Sequence, residues 1–124
     1  MNSERSERGR KSRMSGSRFE RKVRADLEKK GYFVTKFNNN IDLEKGKMVP
    51  AKSNRFFARS TGFPDFLIWQ LVGFPLGVEA KSNGYLTPVE KKKASWLVKN
   101  GVFEKVLIAK KGKKRGEIAY EPSK

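Results

Sequence analysis

The chain contains no cysteine and no histidine. That removes zinc fingers, cysteine–histidine and serine–histidine nucleophilic catalysis, and any mechanism that relies on an imidazole base. The chemistry that remains must run on carboxylates, lysines, hydroxyls and a hard metal ion. Without cysteine, the redox compartment is left open. Long apolar runs are also missing. The longest, Phe66 to Val78, is interrupted by Gln70, Gly73, Pro75 and Gly77, and it falls short of the ~20 residues that span a bilayer. Acidic residues are scarce, with 13 Asp and Glu against 29 Lys and Arg for a formal charge of +16. An excess of that size points to polyanionic partners, nucleic acid first among them.

At 124 residues the chain has room for one small domain with a modest core. Residues 1–14 alternate Ser, Glu, Arg and Gly with little to bury, and read as a disordered basic arm. From residue 15 to 124 the pattern is that of a folded domain. Phe19, Val23 and Leu27 recur at helical spacing, with Ser15 or Ser17 as N-cap and Gly31 as C-cap. Arg18, Arg21, Lys22 and Lys29 form its basic face, and Tyr32–Phe37 follows as a strand. Residues 38–61 read as a long polar loop carrying Arg55 and Arg59, with Phe56 and Phe57 anchoring one end.

Phe66–Leu71 and Leu76–Lys81 read as two strands. Thr87-Pro88-Val89-Glu90 opens a second helix through an N-cap, a proline at the first helical position and a capping-box glutamate. Val89, Ala94, Leu97 and Val98 supply the apolar stripe of that helix, and Gly101 ends it. Phe103–Ala109 and Glu117–Tyr120 complete the set as strands joined by a turn, Lys110–Gly116. The order gives an α/β domain with a mixed central β-sheet flanked by helices.

Two acidic signals stand out, Gly62-Phe63-Pro64-Asp65 and Glu79-Ala80-Lys81, each at the edge of a hydrophobic run. A carboxylate at the end of a buried strand is costly unless something pairs with it. A divalent ion does so, and a few carboxylates with waters suit Mg²⁺ or Mn²⁺. In a protein this basic, such a site points to phosphodiester hydrolysis. Strand alternation puts Glu79 and Lys81 on one face. Asp65 joins them only if paired residue numbers keep an even sum, as in a hairpin with the loop Gly73–Pro75; an odd sum needs a bulge. Glu20 on the first helix is the candidate third carboxylate, with Asp26 and Glu28 as rivals. Glu90 reads as a helix cap, and Tyr85 as a packing or substrate-contact residue.

Pro64-Asp65, the apolar strand after it and Glu79-Ala80-Lys81 resemble the PD-(D/E)xK nuclease signature. Glu20 upstream and Tyr85-Leu86-Thr87-Pro88-Val89-Glu90 downstream extend the likeness to the VRR-NUC group and the archaeal Holliday junction resolvases, over about Ser15 to Ala109. The resemblance implies a restriction-endonuclease-like core, with Glu20, Asp65 and Glu79 as metal carboxylates and Lys81 as the catalytic lysine. Thr87 and Glu90 depart from the Ser and Gln usual in the family, and Glu90 adds negative charge near the site.

The expectation is a Mg²⁺- or Mn²⁺-dependent DNA endonuclease acting on branched duplexes such as four-way junctions. Arg55, Arg59, Lys110, Lys111, Lys113, Lys114 and Arg115 would grip the backbone, and symmetric cutting of two strands calls for a homodimer. A flap, nick or single-strand nuclease of repair or viral replication is the enzymatic alternative. A non-catalytic DNA-binding protein that keeps the fold is the other. A polar, arginine-rich N-terminus without an apolar segment carries no secretory signal. The expected location is intracellular, in a prokaryote or a virus-infected host cell, with no membrane association.

Overall fold

A computed structural model describes residues 3–51 and 62–123, with side chains from Gly16 onward. The described residues form a mixed α/β fold in which helices α1 (Ser3–Lys29) and α2 (Pro88–Lys99) accompany seven strands. These are β1 (Phe33–Lys36), β2 (Asn39–Asp42), β3 (Lys47–Pro50), β4 (Phe66–Trp69), β5 (Leu76–Ala80), β6 (Val106–Lys111) and β7 (Ile118–Pro122). Five strands make one mixed sheet in the order β1-β4-β5-β6-β7, and β2 and β3 pair separately. Among the described residues only β5 and β6 pair in parallel, and α2 makes the crossover that a parallel pair requires.

The two helices serve opposite faces of the sheet. Phe19, Val23 and Leu27 of α1 pack with Phe66, Ile68, Val78 and Ala109. Ala94 and Leu97 of α2 pack with Phe37, Phe63, Phe103, Val106 and Ile108. Alternation along β6 divides its residues between these cores, with Val106 and Ile108 on one side and Leu107 and Ala109 on the other. Val23 and Leu27 are fully enclosed, and burying such side chains contributes about 1.5–3 kcal/mol each.

Several expectations are corrected. α1 starts at Ser3, so the backbone of residues 3–14, expected as a disordered arm, is helical. Glu, Arg and Lys, which fill much of this segment, are good helix formers. Within the expected long loop, β2 and β3 form a hairpin with Asn39 opposite Pro50 and Asp42 opposite Lys47. Its Ile41 is buried in the α2-side core, an anchor hidden in sequence by the asparagines around it. Along α2 only Ala94 and Leu97 are buried, while Val89 and Val98 are exposed. The stripe facing the sheet is narrower than helical spacing suggested. Among the described residues no helix is long and apolar enough to cross a membrane.

Candidate functional site

Asp65 and Glu79 meet because of how β4 and β5 pair. Phe66 lies opposite Val78 and Ile68 opposite Leu76, an even register as the shared-face reading requires. Continued by one residue, it puts Asp65 opposite Glu79. Glu79 is the penultimate residue of β5 and Asp65 immediately precedes β4, so both stand at one end of the sheet on the face covered by α2.

Two glycines make this approach possible. A Cβ on Gly62 would lie 2.0 Å from the Asn39 carbonyl oxygen, so the chain passes there only with hydrogen in that place. Backbone bonds from Gly62 N–H to Phe37 O (3.1 Å), from Phe63 N–H to Asn39 O (2.9 Å) and from Phe37 N–H to Asp65 O (3.1 Å) then clamp the segment. A Cβ on Gly77 would fall 2.6 Å from Pro64 Cγ, and the space it leaves is filled by the fully buried Pro64 ring. The Phe63–Pro64 peptide is cis.

The two carboxylates hold each other through backbone groups. Asp65 N–H donates to Glu79 Oε1 at 3.0 Å, and Ala80 N–H donates to Asp65 Oδ2 at 2.9 Å. Both acids are buried, Asp65 to 7% exposure and Glu79 to 6%. Lys81 Nζ lies 3.7 Å from Glu79 Oε2 and 2.9 Å from Glu90 Oε2. Glu90 also completes the expected capping box, accepting from Thr87 N–H (2.9 Å) while its own N–H donates to Thr87 Oγ1 (3.2 Å). One carboxylate thus caps α2 and fixes the lysine.

The electrostatics follow from this crowding. Burial, and then the charge of Asp65, push the Glu79 carboxyl far above its ordinary range. Burial also raises Asp65, against the opposing pull of the Ala80 N–H and of Glu79. The pair therefore keeps a proton at neutral pH. Burial would lower Lys81, but its bond to Glu90 and the charges of Glu79 and Glu90 outweigh that, and the ammonium is held above its usual range. For Glu90 the raising effect of burial is overcome by the Thr87 N–H and Lys81, and its carboxylate is stabilised. Lys81 is accordingly a fixed cation rather than a proton acceptor.

Three acids surround one ammonium here, so full ionisation leaves an uncompensated double negative charge in a buried place. A divalent cation matches that deficit, and Mg²⁺ is commonly bound by one or two carboxylates with waters and substrate oxygens completing its shell. Asp65 and Glu79 fit such an ion on those terms. Among the described residues no group of three or more acidic side chains is disposed to hold a metal. Glu20 is half-buried on α1, beside Phe19 in the core of the opposite sheet face, and makes no three-acid group with the pair. Its rivals are engaged elsewhere. Glu28 accepts from Arg24 Nε at 3.0 Å, and Asp26 accepts from Lys30 Nζ at 2.8 Å and Tyr120 Oη at 2.6 Å.

The other expected binding residues are distributed unevenly. Arg55 and Arg59 lie outside the described residues. Lys110 is paired with Glu121. Lys111, Lys113, Lys114 and Arg115 are exposed on the β6–β7 turn, next to the acidic strand, since Lys111 N–H donates to Ser82 O at 3.3 Å. Tyr85 is 77% exposed and is not a packing residue. The Glu90–Lys81 contact is what sequence reading missed. Its signal was present, because a helix that follows β5 within a parallel crossover must start near the end of β5. No protein-family profile, curated protein or solved structure matches this chain.

Proposed function

We propose that the protein is a metal-dependent nuclease that hydrolyses DNA phosphodiesters, with a restriction-endonuclease-like core and Asp65, Glu79 and Lys81 at its centre. The observation that carries this reading is the buried Asp65–Glu79 pair, cross-bonded by backbone N–H groups beside a fixed ammonium. Its charge deficit suits a divalent cation, and the net charge of +16 suits a polyanionic substrate.

When bound, Mg²⁺ or Mn²⁺ would activate water and neutralise charge on the phosphate. Asp65 and Glu79 would hold it. Lys81 points its ammonium to the same place and stabilises the charge that builds on phosphate oxygens, or orients the attacking water. Glu90 keeps Lys81 in position, and the α2 cap keeps Glu90 in position. Lys111, Lys113, Lys114 and Arg115 grip phosphates independently of sequence. Phosphate gripping of this kind carries no base information, so DNA shape is the proposed determinant, a branched duplex the proposed substrate, and a homodimer the cutting unit.

The test is cleavage of junction, flap, nicked and linear DNA in Mg²⁺ and in Mn²⁺. Junction cutting that disappears in Asp65→Asn, with fold and DNA affinity kept, is expected. Cutting of flaps or single strands alone would replace the branched-duplex assignment. Binding without cleavage of any substrate in either metal would make this a DNA-binding protein.

A further inference from the structure

A second concavity opens at the same end of the sheet, on the α1 side. It is a cleft of about 290 Å³ between Phe19 and Lys22 of α1 and the β6–β7 turn with its flanking strand residues, Lys111 to Ile118. Five of its lining residues are cationic, namely Lys22, Lys111, Lys113, Lys114 and Arg115, and Glu117 is the acidic one. The cations come from elements 89 positions apart in the chain, counting from Lys22 to Lys111, so the cleft exists only in the folded protein.

Glu117 is bound back onto the turn. Its carbonyl accepts from Gly112 N–H at 2.7 Å, its N–H donates to Lys114 O at 3.0 Å, and its carboxylate accepts from Lys114 N–H at 3.4 Å. Its side chain fills the space over Gly112, where a Cβ would meet it at 2.6 Å. Gly116, at φ +81°, closes the turn. The acid therefore shapes the turn and leaves the cations in excess. Phe19, 7% exposed, gives the cleft an apolar wall, which strengthens a charge interaction formed against it. Arg115 adds a planar fork suited to phosphate oxygens.

We propose that this cleft is a separate phosphate-binding site that holds one phosphate group of a nucleic acid while a neighbouring phosphate lies at the acidic pair. Lys81 N–H donates to Ala109 O at 2.9 Å and Lys111 N–H to Ser82 O at 3.3 Å, so the residues that follow the acidic pair lie beside the end of β6, from which the cationic turn departs. A strand crossing this rim meets both. Which polyanion supplies the phosphate rests on the nuclease reading; the cleft's affinity for phosphate does not. Lys22, read from sequence only as part of a solvated helix face, acquires a positioning role.

The test measures binding of short single-stranded oligonucleotides, with a 5′-phosphate or a 5′-hydroxyl, in EDTA over a range of NaCl concentrations. Lys22→Gln and Arg115→Gln should each weaken binding about three- to tenfold and lower the salt slope by about 0.7–1. Lys99→Gln, at the far end of α2, should leave both unchanged. Both cleft residues are exposed, so the variants fold, and melting temperature verifies this. A 5′-phosphate advantage that is lost in Lys22→Gln assigns the site to a chain end; equal binding of the two oligonucleotides assigns it to an internal phosphodiester. Unchanged affinity and salt slope in the Lys22→Gln/Arg115→Gln double variant overturn the proposal. Because metal is chelated throughout, the outcome is independent of cleavage. A protein that binds through the cleft but never cuts would retire the hydrolytic reading alone.

Discussion

Glu79 sits in the sheet with too little positive charge around it, and that imbalance is measurable without any substrate. In the unfolded chain its carboxyl ionises near 4.5, and in the folded, metal-free protein burial and Asp65 push it up to about 10. A pKa raised on folding contributes stability that is complete below the unfolded value and is lost as pH rises through the folded one. Metal-free protein should therefore lose stability steadily from about pH 4.5 upward toward pH 10. Glu79→Gln removes the titration, and in EDTA at pH 8 it should melt several degrees higher, a gain of about 2 kcal/mol. A lower melting temperature would mean that the buried charge is already compensated within the chain. Glu90→Gln separates two roles, because glutamine at the same helix position still caps α2. Its melting temperature should change by less than about 1 kcal/mol equivalent, while single-turnover cleavage falls about tenfold for want of a positioned Lys81. An unaltered rate would reduce Glu90 to a cap.

The elements that carry the site differ in how much backbone freedom they tolerate. Gly62 threads between the carbonyls of Phe37 and Asn39, so Gly62→Ala should displace Asp65 and destabilise the fold by about 3 kcal/mol or more. Gly16, within α1 and with nothing within 4 Å of its would-be Cβ, is the converse case. Gly16→Ala should stabilise α1 by about 0.5–1 kcal/mol, and a denaturant series on both variants checks the pair. The same contrast explains what the sequence disclosed. The capping box at Thr87 and Glu90 was readable because its signal is local and its geometry fixed. The Asp65–Glu79 meeting was readable once alternation and an even register were combined. The β2–β3 hairpin was not, since Asn39-Asn40-Ile41-Asp42 holds one buried side chain and takes its strand form from tertiary contacts. Nor was Glu20's setting, because an i, i+4 pattern says which face of α1 is apolar but not which face of the sheet receives it.

Across the described residues, the groups of the candidate site gather at one end of the sheet. Acidic pair, α2 N-terminus and cationic turn share one end of the sheet, whereas Leu71, Val72 and Phe74 stand exposed in the β4–β5 loop at the other. Affinity for DNA should fall steeply and log-linearly with salt, and changing Lys113, Lys114 and Arg115 together to Ala should reduce that slope by about 3. An unchanged slope would make the turn a bystander. Light scattering reports whether copies pair, as symmetric cutting requires.

Calorimetric titration of Mn²⁺ into the metal-free protein at neutral pH, repeated in buffers of different ionisation enthalpy, examines the acidic pair itself. One ion per chain should bind with release of about one proton, and both signals should vanish in Asp65→Asn. A wild-type protein that takes up no ion, or takes one up without losing a proton and equally well in Asp65→Asn, would show that these two buried acids are not where the cation goes.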